Sequence, residues 1–144
     1  EVPDRVPMDV DVDDPLDHRL LDPARLREVR AVMSRHVGVV RDEMSLSSAA
    51  GALGSIARNM RSAKRVVVAE IDDDAVPRIE PSRRTWEATN ILTVATAMVA
   101  AASARTESRG CHRRSDHPTS RPEWIRHLEV TLDPTGTINV EDRP

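Results

Sequence analysis

Between Arg105 and His127 the chain gathers the side chains able to do chemistry: Arg105, Glu107, Arg109, Cys111, His112, Arg113, Arg114, Asp116, His117 and His127. A metal centre is one chemistry for such a set, since Cys111, His112, Asp116, His117 and His127 are all ligand types. Adjacent Cys111 and His112 do not readily turn toward one ion, however, and no C-x-x-C pair accompanies them, so the spacing speaks against it. A thiol nucleophile is a second, with His112 or His127 as its base. A cationic neighbourhood alone is not catalysis, however, and the local sequence lacks the cysteine-protease signatures. The third is charge pairing, in which Glu107 is held by neighbouring arginines whose planar forks bind a carboxylate at two points. A solvated cluster of surface ions competes with this reading, because exposed ion pairs contribute little. Recognition of RNA is disfavoured: no aromatic platform interleaves with the arginines, and the rest of the chain is acidic.

The elements that must position this cluster can be read upstream of it. Ile91 to Ala104 carries no charge and is rich in helix formers, which predicts a central helix over about 83–109 with Ser82 as its cap. The apolar run is too short and too alanine-rich to cross a hydrocarbon core, which needs about 20 residues, so no membrane span is expected. Gly110 falls where a left-handed helix cap would sit. Arg105 and Arg109 suit a helix C-terminus, whereas Glu107 opposes the dipole there by roughly 0.3–1 kcal/mol and so requires a partner.

Two earlier helices are expected. Asp22-Pro23 is a strong start for one over about 23–41, with Leu26, Val29, Met33, Val37 and Val40 on its apolar stripe, His36 packed at the stripe's edge, and Gly38 weakening its end. Ser45 and Ser47 offer caps for another over about 46–64, striped by Ala49, Leu53, Ile56, Ala57 and Met60. Gly51 and Gly54 lie inside it, where they would permit a neighbouring helix to come close. Residues 1–21 hold Pro3, Pro7 and Pro15 among alternating aspartates and valines, and read as a linker, with an edge strand through Val6, Met8, Val10 and Val12 as the alternative. Val66–Ala69 either extends the second helix or forms a short strand, and Asp72, Asp73 and Asp74 read as a solvated acidic loop, since they lack the turn glycine of a calcium loop. His127 to Val140 alternates about turn residues at 133–136 and predicts a hairpin over about 127–140. The expected fold class is mainly α: a spectrin-like, up-down-up three-helix bundle with a small C-terminal β-hairpin, in a domain over 22–144.

With 144 residues one domain is expected, and its core must be built without Phe or Tyr, from aliphatic residues plus Trp86 and Trp124. The net charge of −3 gives no general attraction to nucleic acid or anionic membranes. Cys111 is alone, so no internal disulfide forms, and a reducing, cytoplasmic compartment is the simpler expectation. No signal-peptide pattern precedes the first helix. The chain opens on Glu1 and reads as a piece of something longer.

One stretch is more specific than any of this. Glu107, Ser108, Arg109 and Gly110, then His112, Arg114, Asp116 and Pro118 at alternate positions, then Trp124 and His127, resemble the C-terminal signature of the succinate dehydrogenase, fumarate reductase and L-aspartate oxidase flavoproteins. Asn90–Ala95 and Val37–Arg41 resemble the aspartate oxidase versions of two preceding segments, and the likeness covers roughly Leu21 to Val130. Thr119–Pro122 lacks the paired aspartates usual in the dehydrogenase branch, which favours the oxidase branch.

The resemblance implies a C-terminal helical domain that packs against an FAD-binding domain, in a parent enzyme that oxidises L-aspartate to iminoaspartate for NAD biosynthesis. This chain would bind no cofactor alone: its glycines, at 38, 51, 54, 110 and 136, make no G-x-G-x-x-G turn. The signature residues are then expected to fix the domain packing, with Trp124 as an apolar anchor, and no catalytic residue is carried over. A dehydrogenase or fumarate reductase subunit, or an independent helical interaction or metal-binding module, are the alternatives. Separated from its partner domain, such a bundle is expected to show an apolar patch and to self-associate.

Overall fold

In the computed structural model, residues 20–62, 82–133 and 136–143 are described. The expected linker at 1–19, the strand-or-helix run at 66–69, the acidic triplet at 72–74 and the end of the second helix at 63–64 lie outside them. Three helices pack on one another, α1 (Leu26–His36), α2 (Glu43–Ser62) and α3 (Arg83–Ala104), and a C-terminal hairpin leans on α3.

The core begins earlier than the predicted domain start, because Leu20 and Leu21 are already buried and the Leu21 amide donates to Thr89 Oγ1 on α3 at 2.9 Å. Asp22 then caps a single 3-10 turn, Pro23–Arg25, its carboxylate accepting from the Ala24 amide at 2.9 Å. That turn leads into α1, which stops at His36 instead of reaching Arg41. The reason is local: Val37, Gly38, Val39 and Val40 are poor helix formers in succession. The chain instead extends into a two-residue strand β1 (Val40–Arg41), which pairs in parallel with β2 (Arg113–Arg114), Val40 opposite Arg113 and Arg41 opposite Arg114.

Helix α2 starts at Glu43, before the predicted serine caps. Asp42 is the capping residue: its carboxylate accepts from the Ser45 amide at 2.7 Å while Ser45 Oγ accepts from the Asp42 amide at 3.0 Å. Its buried stripe is Leu46, Ala49, Leu53 and Ile56, and the stripe of α3 is Thr85, Ala88, Leu92, Ala95, Val99 and Ala102. Both advance by alternating steps of three and four, the seam of left-handed helix packing. Val29 of α1 and Leu21 complete this core. The glycines of α2 do not serve close approach as predicted, since a Cβ at Gly51 would meet nothing within 4 Å and one at Gly54 only the tip of Arg58 at 3.5 Å.

Ser82 caps α3 by a reciprocal pair with Thr85, as the sequence predicts. The helix ends at Ala104, not near Arg109, because its last carbonyls find a distant partner: Arg114 Nη1 donates to Ala102 O at 3.2 Å and to Ser103 O at 3.4 Å. Gly110 therefore caps no helix. Its φ of +56° serves a tight turn in which Arg109 and His112 exchange backbone hydrogen bonds of 2.8 and 2.9 Å.

The hairpin pairs β3 (His127–Leu132) with β4 (Ile138–Arg143), running from His127 opposite Arg143 to Leu132 opposite Ile138. It extends past the predicted end at Val140. A lone hairpin is marginal in water, and its contact with α3 supplies the missing support.

Candidate functional site

The polar residues singled out from the sequence form one loop, folded back over the C-terminal end of α3. Two carboxylates anchor it. Glu107 is completely buried, and Arg109 takes both its oxygens, Nε to Oε1 at 2.7 Å and Nη2 to Oε2 at 3.0 Å. Arg105 Nη1 adds a bond to Oε1 at 2.8 Å, and the Arg121 amide one to Oε2 at 2.8 Å. The fork of Arg109, then the Arg121 amide and Arg105, hold the Glu107 carboxyl down to about 2 against the opposing effect of its burial. Because α3 has already ended, Glu107 does not sit against the helix dipole; its partners answer burial instead.

The second anchor is Asp116. Arg114, 1 % exposed, grips it with Nε to Oδ1 at 2.8 Å and Nη2 to Oδ2 at 2.7 Å. Glu43 Oε2 accepts a further bond from Arg114 at 3.2 Å, and the Glu43 amide at the start of α2 donates to Asp116 Oδ2 at 2.9 Å. The Arg114 fork holds the Asp116 carboxyl far below the usual carboxylate range, and Asp116 in turn raises the Arg114 pKa. One buried guanidinium thus joins the end of α3, the start of α2 and the loop.

Ser108 ties the loop to itself: its hydroxyl donates to His117 O at 2.8 Å and accepts from the Arg114 amide at 2.8 Å. His112 bridges to the first helical connection, with Nδ1 3.2 Å from Arg41 Nη1 and Nε2 3.2 Å from the Arg105 carbonyl. A carbonyl only accepts, so Nε2 carries the proton and Nδ1 accepts from Arg41, which requires a neutral ring. Burial, with Arg41, Arg114 and Arg105 nearby, pushes the His112 pKa down, consistent with that state.

Trp124 sits in a 3-10 turn, Pro122–Trp124, and within the chain it meets cations. The guanidinium carbons of Arg105 and Arg126 lie 5.3 and 5.0 Å from its ring centroid. Pro118 lies exposed in the loop, and His127 is exposed at the start of β3.

Cys111 is exposed, and both ring nitrogens of His112 beside it are engaged elsewhere, so the two form no nucleophile and base. Among the described residues no three of His, Cys, Asp and Glu converge as metal ligands would. No helix among them is long and apolar enough to cross a membrane. What the geometry does is lock: three carboxylates, Glu43, Glu107 and Asp116, and four arginines, Arg41, Arg105, Arg109 and Arg114, fix a loop over the end of a bundle. Arg41, Glu43 and the Arg121 amide were not foreseen as members. Arg41 belongs to the Val37–Arg41 segment that resembles the family, but a backbone amide leaves no mark in a sequence.

The loop seals the C-terminal end of the helical bundle with buried charge. The comparisons identify the class. Residues 26–144 match the family described as the fumarate reductase flavoprotein C-terminal domain. The chain belongs to that family, as the C-terminal domain of a flavoprotein of the succinate dehydrogenase and fumarate reductase group. It is 38% identical over 124 residues to the L-aspartate oxidase of Streptomyces coelicolor, covering 85% of this chain and 20% of that protein. It is 29% identical over 118 residues to the succinate dehydrogenase flavoprotein subunit of Rickettsia felis, covering 81% of this chain and 19% of that one. A solved chain of E. coli quinol fumarate reductase superposes with a TM-score of 0.60 at 19% identity, over 88% of this chain and 22% of that chain, a likeness of fold. The chain therefore spans about a fifth of the length of these proteins.

The group's flavin would need a glycine-rich turn at a helix start, and the residues present form none. The five glycines are scattered, and the two with positive φ, Gly110 and Gly136, sit in tight turns away from any helix start.

Proposed function

We propose that the chain is the C-terminal, non-catalytic domain of an FAD-dependent L-aspartate oxidase, and that it packs against the flavin-binding part of that enzyme. The observation that carries this is the 38% identity to the Streptomyces coelicolor L-aspartate oxidase, against 29% for the Rickettsia felis dehydrogenase subunit over a similar span. A 48% identity over 48 residues to the L-aspartate oxidase of Mycobacterium tuberculosis supports the same branch.

An apolar groove of about 560 Å³ supports the packing, running between α1 and α3 past Met33, Ile91, Val94 and Met98. Of these, Val94 is 58% and Met98 51% exposed. In the intact enzyme the flavin-binding part covers this face; the isolated chain self-associates through it. The signature residues Glu107, Ser108, Arg109, Gly110, His112, Arg114, Asp116, Pro118, Trp124 and His127 act at the domain junction by keeping the loop beside it rigid.

A chimera tests the reading. Replacing the matching C-terminal fifth of the Streptomyces coelicolor enzyme by this chain should retain bound FAD and peroxide release from L-aspartate. The same graft into the Rickettsia felis dehydrogenase subunit should lose flavin. The opposite ranking would place the chain in the dehydrogenase branch, and failure of both grafts would remove the packing proposal.

A further inference from the structure

Beside the loop is a second cavity, a half-open cleft of about 510 Å³ between the end of α3 and the first residues of the hairpin. Its walls include Arg105, Arg109, His112, Trp124, Arg126 and His127, and no carboxylate lines it. The charges around it do not balance, because Arg105 and Arg109 share the single carboxylate of Glu107. Arg41 lies behind His112 and donates to a carbonyl and to that ring, with no acidic partner among the described residues.

The cleft also holds unmet hydrogen-bonding capacity. Arg126 is paired with Asp142 through Nη1, but its Nε is the only buried side-chain nitrogen or oxygen among the described residues with no hydrogen-bond partner. A buried donor left so is unfavourable by roughly 1–3 kcal/mol. A small rotation of the guanidinium over the Trp124 ring, 5.0 Å away, would let an oxyanion in the cleft satisfy it.

We infer that this cleft binds a small oxyanion, a carboxylate or phosphate group, between Arg126, His127 and the outer edge of Arg109, with Trp124 as its floor. The two group chemistries share what the cleft offers: planar or point donors, surplus positive charge and a ring against which an attached organic body can lie. Neither the flavin assignment nor the oxidase reading is needed for this, so its success or failure leaves them untouched.

The test uses the Trp86→Phe variant of the full chain, in which Trp124 is the remaining indole. Malonate and inorganic pyrophosphate are titrated separately while its fluorescence is followed. A saturable change is expected with at least one probe, weakening as salt is raised, and which probe binds more tightly identifies the group. Arg126→Gln should weaken binding about tenfold, equivalent to ~1.4 kcal/mol. Because that variant also breaks the pair with Asp142, Asp142→Asn supplies a result of opposite sign. It frees Arg126 and removes a negative charge, so it should tighten binding about threefold, whereas a purely structural pair would give equal or weaker binding. Absence of saturation with both probes, or weakening in Asp142→Asn with the hairpin intact by circular dichroism, would overturn the inference.

Discussion

The seam between α2 and α3 and the anchors of the loop from Arg105 to Arg121, Glu107 and Arg114, are equally dry, yet different physics holds each. Leu53 in the seam and Glu107 in the loop both have no exposed surface. The seam rests on area removed from water, about 1.5–3 kcal/mol for each fully buried large aliphatic side chain, which depends on volume and hardly on direction. The loop rests on charged hydrogen bonds of 2.7–3.2 Å whose partners lie up to 73 positions apart in the chain. Its stability is directional, and removing one member leaves another charged and unpaired. Two buried regions of one small domain can therefore differ in what they tolerate while sharing the same exposure.

The largest expected effect sharpens that contrast. Arg114→Met keeps the side chain's apolar volume but strands Asp116 and the carbonyls of Ala102 and Ser103. It should destabilise the domain by about 2–3 kcal/mol, the scale for charge-assisted hydrogen bonds lost and carbonyls left unpaired, because the Asp116 carboxylate it leaves behind is partly exposed. Leu53→Met, a volume-conserving change in the seam, should be unfavourable by less than ~1.5 kcal/mol. Urea unfolding monitored by circular dichroism measures both. Comparable values would show that the loop, too, is held mainly by packing.

Acid provides a second, smaller break. The carboxyl of Glu107 is held at about 2, below its ordinary 4.5, first by the Arg109 fork and then by the Arg121 amide and Arg105. Its folded pKa lies below its unfolded one, so its contribution is fully present above the unfolded value and is lost as pH falls toward the folded one. Asp116 acts in the same direction through Arg114. The melting temperature of the wild-type chain should fall as pH is lowered from about 5 to about 2, and Glu107→Gln should flatten part of that slope while lowering stability at neutral pH. Leu53→Met should leave the slope unchanged. A slope identical in Glu107→Gln and wild type would detach the loop's charges from stability.

The same contrast explains what the sequence made legible. The helices and their stripes are periodic and local, so Leu53, Ile56 and Ser82 could be placed from spacing and capping chemistry alone. Helix ends were less legible where the stop signal is remote: nothing between Ala104 and Gly110 announces that α3 has finished, because the group receiving its carbonyls is Arg114. Likewise Asp42 and Ser45 are both good caps by type, and the reciprocal bond that makes Asp42 the capping residue is visible only in three dimensions. The loop's membership was legible as charge excess and as a family signature. Its pairing was not, since the Arg121 amide and Glu43 enter through the backbone or from a distant helix.

The smallest expected effects come from two glycines, one from each region, and they should have opposite signs. Gly110 in the loop has φ +56°, where an L-residue is strained; Gly51 in α2 is helical, and a Cβ at either meets nothing within 4 Å. Sterics being absent from both, only backbone preference decides. Gly110→Ala should destabilise by about 1–2 kcal/mol, the penalty for a side chain in the left-handed region. Gly51→Ala should stabilise by about 0.5–1 kcal/mol, because alanine gives up less backbone freedom on entering a helix. Chemical denaturation of the pair resolves the two signs. A destabilised Gly51→Ala would mean that this exposed face of α2 is covered in solution, and would make it, alongside the α1–α3 groove, a second surface through which the domain meets a partner.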